Sequence, residues 1–190
     1  MSQPARRDAT YADLEALPPH VVGQIVEGVL YTQARPSSQH ALASSVLGAE
    51  LSSPFHRGRG GPGGWILLDE PELHLGRNVL VPDLAGWRRE RMPEMPRVAY
   101  FELVPDWVCE VLSPNTVGVD RVKKLGVYLS EGVRHVWFVD PDARTLEVLR
   151  REGDGEAARY VLAQTFHGDD AVRAEPFDAL ALELGVLWLG

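Results

Sequence analysis

Apolar positions along the chain come in short runs cut by Gly, Pro and Asp, a pattern of many strands and few helices. Thr10-Tyr11-Ala12-Asp13 has capping-box spacing, with Asp in place of Glu, and predicts a short helix to Leu17, stopped by Pro18-Pro19. Gln24–Tyr31 predicts a strand with a tight bend at Glu27-Gly28, a hairpin or a bulge. Pro36-Ser37-Ser38 opens a helix to about Ser52, with Leu42, Val46 and Ala49 on one face. Trp65–Leu68 and Val79–Val81 read as consecutive strands. The apolar segment Val79–Trp87 ought to be buried strand with one acid, Asp83, inside it.

Residues 88–105 hold charges and three prolines and predict loop. Trp107–Leu112 predicts a strand, followed by a helix from about Thr116 to Glu131 closed by Gly132. His135–Asp140 turns through Pro141–Arg144 into a strand at Thr145–Leu149, and Gly153-Asp154-Gly155 turns into another near Tyr160–Ala163. The apolar tail from Leu180 to Leu189 either packs on the core or forms part of a homodimer contact. With no repeat or linker, residues 1–190 predict one α/β or α+β domain: a mixed sheet flanked by helices, with added hairpins.

Composition narrows the class. A hydrophobic fraction of 45% and a charged fraction of 24% are ordinary for a globular protein. Neither a membrane-length apolar run nor a signal-peptide start is visible, so a cytoplasmic protein without a membrane partner is expected. The lone Cys109 excludes an internal disulfide and a cysteine-based zinc cluster. A net charge of −8 weighs against non-specific nucleic-acid binding, although a local basic patch can coexist with an acidic remainder. Basic clusters occur at Arg57 with Arg59, at Arg88-Arg89 with Arg91, and at Arg121 with Lys123 and Lys124.

Candidate chemistry starts from two acids inside apolar segments, Asp83 and Glu110. On Trp107–Leu112, alternation puts Val108, Glu110 and Leu112 on one face and Trp107, Cys109 and Val111 on the other. A carboxylate there is costly to desolvate unless a positive group meets it. Each acid alone has an ordinary reading: a strand-end turn after Pro82 for Asp83, and an arginine partner or solvent contact for Glu110. Together they suggest a shared hard cation such as Mg²⁺, which takes one or two carboxylates and leaves room for water and phosphate. A lysine on the next helix would offset developing charge. With Val122, Leu125 and Leu129 as its apolar arc and Tyr128 at the edge, Lys124 is a better candidate than Lys123. The plainer alternative is a surface pair of Lys124 with Asp120 at i,i+4.

Val81-Pro82-Asp83, then Trp107–Pro114, then Asp120, Lys124 and Tyr128 at four-residue spacing, Gly132 and Val136–Pro141 resemble the Uma-two family. This is a bacterial family of restriction-endonuclease-like proteins in the PD-(D/E)XK nuclease superfamily. Gln24–Leu30 and the Ser-x-x-His stretch Ser37–His40 extend the similarity over most of the chain. The resemblance implies Asp83 and Glu110 as metal-binding acids, Lys124 as the catalytic lysine, Mg²⁺ or Mn²⁺ as cofactor and DNA as substrate. The superfamily's usual lysine position, two after the glutamate, is Leu112, as in the Uma-two family itself. Gln24 stands where the family carries a glutamate, Glu27 offers an adjacent acid, and His40 matches a family histidine. The resemblance therefore also accommodates a catalytically weak relative that binds nucleic acid or protein, and a hydrolase of smaller phosphorylated substrates is a third reading.

Overall fold

The computed structural model describes residues 4–33, 36–114 and 116–188. Its strands are β1 (Pro4–Arg7), β2 (Val22–Val26), β3 (Val29–Gln33), β4 (Trp65–Asp69), β5 (Leu73–Leu75), β6 (Asn78–Leu80) and β7 (Leu84–Arg88). After these come β8 (Trp107–Val111), β9 (His135–Asp140), β10 (Thr145–Glu152), β11 (Arg159–His167), β12 (Ala171–Val172) and β13 (Leu182–Glu183). Helices are α1 (Tyr11–Glu15), α2 (Ser38–Leu51) and α3 (Leu125–Glu131). A five-stranded sheet has the order β1-β3-β2-β6-β5, a six-stranded sheet the order β11-β10-β9-β8-β7-β4, and β12 pairs with β13. In the six-stranded sheet only β8 and β9 run parallel, joined by the α3 crossover, so the sheet is mixed as expected. Among the described residues no helix is long and apolar enough to cross a membrane.

The predicted capping box at Thr10 and Asp13 forms. The bend at Glu27-Gly28 is a two-residue hairpin turn, with φ of 52° and 75° at its two residues. Both angles are positive, as the twist of flanking strands favours. Two expectations fail. Val79–Trp87 is not one strand: Pro82 offers no N–H to a ladder, and the chain leaves the five-stranded sheet at Leu80 and enters the six-stranded sheet at Leu84. The buried face of α2 is Ala43, Leu47 and Leu51 rather than Leu42, Val46 and Ala49; Ala49 is exposed. The short strand β5 also went unforeseen.

The predicted alternation on β8 holds. Trp107, Cys109 and Val111 face a core shared with α2 and with Leu182, Leu184 and Leu187 of the tail. The described part of the predicted tail packs on the core; Leu189 lies outside the described residues. Val108 and Leu112 face a second core, filled between the sheets by Leu73, Leu80, Val127 and Tyr128. Gly86 on β7 leaves room for the rings of Trp65 and Trp107 on the same face of the sheet. A Cβ there would lie 2.7 Å from Leu67 Cδ2 and 3.2 Å from the rings of both Trp107 and Trp65. Gly86→Ala should therefore cost about 1–3 kcal/mol in urea unfolding, and an unchanged midpoint would show that the rings yield freely.

Candidate active site

Local sequence chemistry sets each side chain of the acidic centre. Asp83 lies in the short connector between the sheets. The β7–β8 register ends with Leu84 opposite Cys109, and Asp83, just before it, meets the backbone of β8 beside Glu110. Asp83 Oδ2 accepts the Val111 N–H at 2.6 Å, and its Oδ1 lies 3.1 Å from His40 Nε2. His40 sits in the first turn of α2, where the Ser37 hydroxyl caps the helix by accepting the His40 N–H at 3.2 Å. Burial lowers the His40 pKa, but the Asp83 carboxylate outweighs it and the net shift is upward.

Glu110 is in the middle of β8 and only 2% exposed. Its Oε2 accepts from Lys124 Nζ at 2.8 Å and its Oε1 from the Tyr128 hydroxyl at 2.6 Å. Lys124 is 1% exposed and also lies 3.1 Å from Asp120 Oδ1, without hydrogen-bond alignment at that oxygen. The helix carrying these groups is not regular. Residues Val119–Lys124 form a π-helical turn, in which the Leu125 N–H donates to the Asp120 carbonyl five residues back. The wider turn rotates Val122 outward, to 68% exposure, so it leaves the expected apolar arc. Lys124, four residues before the buried Tyr128, keeps the inward position.

Two carboxylates, those of Glu110 and Asp120, thus hold one ammonium, and the Asp83 charge acts on both Glu110 and Lys124. Burial, opposed by Lys124 and reinforced by Asp120 and Asp83, pushes the Glu110 pKa from 4.5 up to about 8. Burial alone would lower Lys124, but Asp120 and Glu110 raise it instead. These shifts are compatible because Lys124 has two acidic partners: Asp120 keeps the ammonium charged when Glu110 takes a proton. Burial and the Glu110 charge hold Tyr128 well above its ordinary value, so its hydroxyl remains a donor.

The structure brings Asp83, Glu110, Lys124 and His40 together. Glu27 stands apart: it is half exposed and pairs with Lys123 Nζ at 2.7 Å on the surface. Gln24 is 1% exposed, and its Oε1 accepts the Val81 N–H at 2.9 Å, which fixes the chain just before Pro82. Asp120 and the Tyr128 hydroxyl were not foreseen as parts of the centre. Their spacing of four on either side of Lys124 was the available signal. Among the described residues no three His, Cys, Asp or Glu side chains converge as a complete metal-ligand set. Asp83 and Glu110, neighbours where β7 and β8 meet, fit a hard divalent cation, which needs one or two carboxylates, takes water for the rest and would favour the ionised form of Glu110.

The model of a protein family named Uma2, described as "Putative restriction endonuclease", matches residues 9–186. The crystal structure of a "putative nuclease belonging to DUF820" from Anabaena variabilis ATCC 29413 is similar in fold, with a TM-score of 0.74 and 23% identity. The similarity covers 95% of this chain and 97% of that one. No curated protein matches the chain.

Proposed function

Because the chain belongs to the Uma2 restriction-endonuclease family, we propose that it is a Mg²⁺- or Mn²⁺-dependent endonuclease that hydrolyses phosphodiester bonds in DNA. The carrying observation is Asp83, bonded to the Val111 N–H next to Glu110, with Glu110 itself set beside a buried lysine that has a second acid, Asp120.

Asp83 and Glu110 would hold the cation. When bound, it would lower the pKa of a water and neutralise charge on a phosphoryl oxygen. The Val111 N–H and His40 fix the direction of the Asp83 carboxylate, and Tyr128 fixes that of Glu110. Lys124, kept charged by Asp120, would set its ammonium against charge developing on the substrate phosphate. Lys123, paired with Glu27 at the surface, has no part in this chemistry.

Plasmid nicking tests the reading. The intact protein should nick supercoiled DNA with Mg²⁺ or Mn²⁺ and not in EDTA. Asp83→Asn should reduce nicking by roughly 10²-fold or more, in line with the loss of a group that positions and stabilises reacting charge. Nicking that survives both EDTA and Asp83→Asn would remove these residues from the chemistry. An inert protein that still binds duplex DNA would instead be the weak nuclease relative, a reading favoured by the uncharged Gln24 beside the site.

A further inference from the structure

One end of the six-stranded sheet collects arginines that the chemistry above does not use. The π-helical turn of residues 52–56 after α2 delivers Arg57 and Arg59 onto the loop that leads into β4. β7, paired with β4, ends at Arg88 opposite Trp65, and Arg89 follows. Two clusters separated by about thirty positions in sequence therefore meet in space. The Arg89 guanidinium donates to the His56 carbonyl at 3.3 Å. Burial, then Arg89 and Arg57, lower the His56 pKa, which puts both cations at close range. Arg134 immediately precedes β9 at the same sheet end, where burial lowers the His135 pKa, Glu175 opposes the shift, and Arg88, Arg150 and Arg134 add to it.

Five of these arginines, Arg57, Arg59, Arg88, Arg89 and Arg134, are exposed and have no carboxylate partner among the described residues. Neighbouring Arg91 and Arg150 are different: Asp106 takes the first, Glu152 and Glu175 the second. The Arg88 guanidinium lies over the Trp65 ring, 4.2 Å from its centroid. In a chain of net charge −8, such a group of uncompensated cations makes a local positive field against an acidic remainder.

We propose that this arginine-lined sheet end binds the phosphate backbone of duplex nucleic acid at a distance from the acidic centre. The proposal rests on the nuclease reading for its partner. The cations are all guanidiniums, whose planar fork matches phosphate oxygens in pairs. The loop between Arg57 and Trp65 is mostly glycine, with positive φ at Gly58, Gly60, Gly63 and Gly64, so little side-chain bulk stands between its backbone and a ligand. Five residues of strand separate Asp83 from Arg88, about 17 Å at roughly 3.3 Å per residue. That is about five base-pair steps of duplex, so one DNA molecule is long enough to reach both places.

The test is duplex binding in EDTA, by fluorescence anisotropy of a labelled 24-base-pair DNA over a salt series. The triple variant Arg57→Ser/Arg59→Ser/Arg89→Ser leaves the packed Arg88 in place. A control of equal charge change removes the exposed Arg77, Arg97 and Arg159. At 0.1 M salt the triple variant should bind on the order of 10²-fold more weakly. The slope of log affinity against log salt should become shallower by about 0.9 for each phosphate the variant no longer neutralises. The control should stay within about twofold of wild type, as distant rim charges give only screened effects. If the triple variant melts early, the loop pair Arg57→Ser/Arg59→Ser alone should still show a smaller loss of affinity and slope. Wild-type-like affinity and slope in these variants would overturn the proposal. So would tighter binding of a poly-glutamate peptide than of the duplex, which would assign the surface to an acidic protein. Because binding is read without metal, the two readings separate. A protein that binds through these arginines and never nicks loses the nuclease reading alone; one that nicks with an indifferent arginine surface loses this proposal alone.

Discussion

Replacing Lys124 by methionine is expected to abolish metal-dependent nicking and to lower folding stability by about 3–5 kcal/mol, the usual cost of breaking a buried ion pair from one side. Sequence reasoning alone, which places this lysine at the edge of an apolar arc, would have its truncation leave stability nearly intact. Its burial reverses that: with 1% exposure and carboxylates on two sides, its loss strands Glu110 and Asp120 without a cation. The stranded acids can escape only by taking protons, so the penalty should grow with pH. Urea unfolding at pH 5.5 and pH 8 should show a larger deficit at the higher value. Lys123→Met, by contrast, removes a solvent-screened surface pair with Glu27 and should leave the urea midpoint nearly unchanged. Equal deficits in the two variants would reverse the assignment of the buried lysine.

The second large effect separates stability from function at one residue. In the folded protein the Glu110 pKa is about 8, against 4.5 for the free side chain. The folded state therefore binds a proton that the unfolded state has released between those values. Its contribution to stability is complete below about pH 4.5 and is lost as pH rises through about 8. Glu110→Gln removes that titration. The amide can still give its oxygen to Lys124 and an N–H to the Tyr128 oxygen. Metal-free Glu110→Gln should be more stable than wild type at pH 8 by on the order of a few kcal/mol, with little difference near pH 4.5, and should not nick DNA. Chemical denaturation in EDTA across this range is the measurement. A wild-type pH slope that persists in the variant would move the titrating group elsewhere.

The strands were largely legible because their period is simple. On β8 each residue alternates, so the faces of Trp107, Cys109 and Val111 and of Val108 and Leu112 followed directly from order. The face of α2 did not. Val46 is itself half-buried beside Ala43 and Leu47, so hydropathy offers two adjacent stripes and cannot choose between them. The contact of His40 with Asp83 helps to set the rotation, and no apolar pattern reports such a contact. The helix bearing Lys124 misled by one residue for another reason. A regular period carries Val122 inward, whereas the π-helical turn spends an extra residue before Leu125. Lys124 survived the error because only the regular part of the helix lies between it and Tyr128. Pro82 was the signal that Val79–Trp87 breaks, but an apolar run does not disclose that its halves join different sheets.

The placement of Asp83 on that connector also has a mechanical side. Leu80 ends in one sheet and Leu84 begins in the other, and the carboxylate between them is fastened to the backbone of β8 through Val111. Asp83 acts as a rivet through two plates. A ligand that tightens it stiffens the joint as well as filling a site, and a substitution that loosens it lets the plates shear. Occupancy of the centre should thus be felt as slower amide exchange along β6 and β7 together, on both sides of the seam.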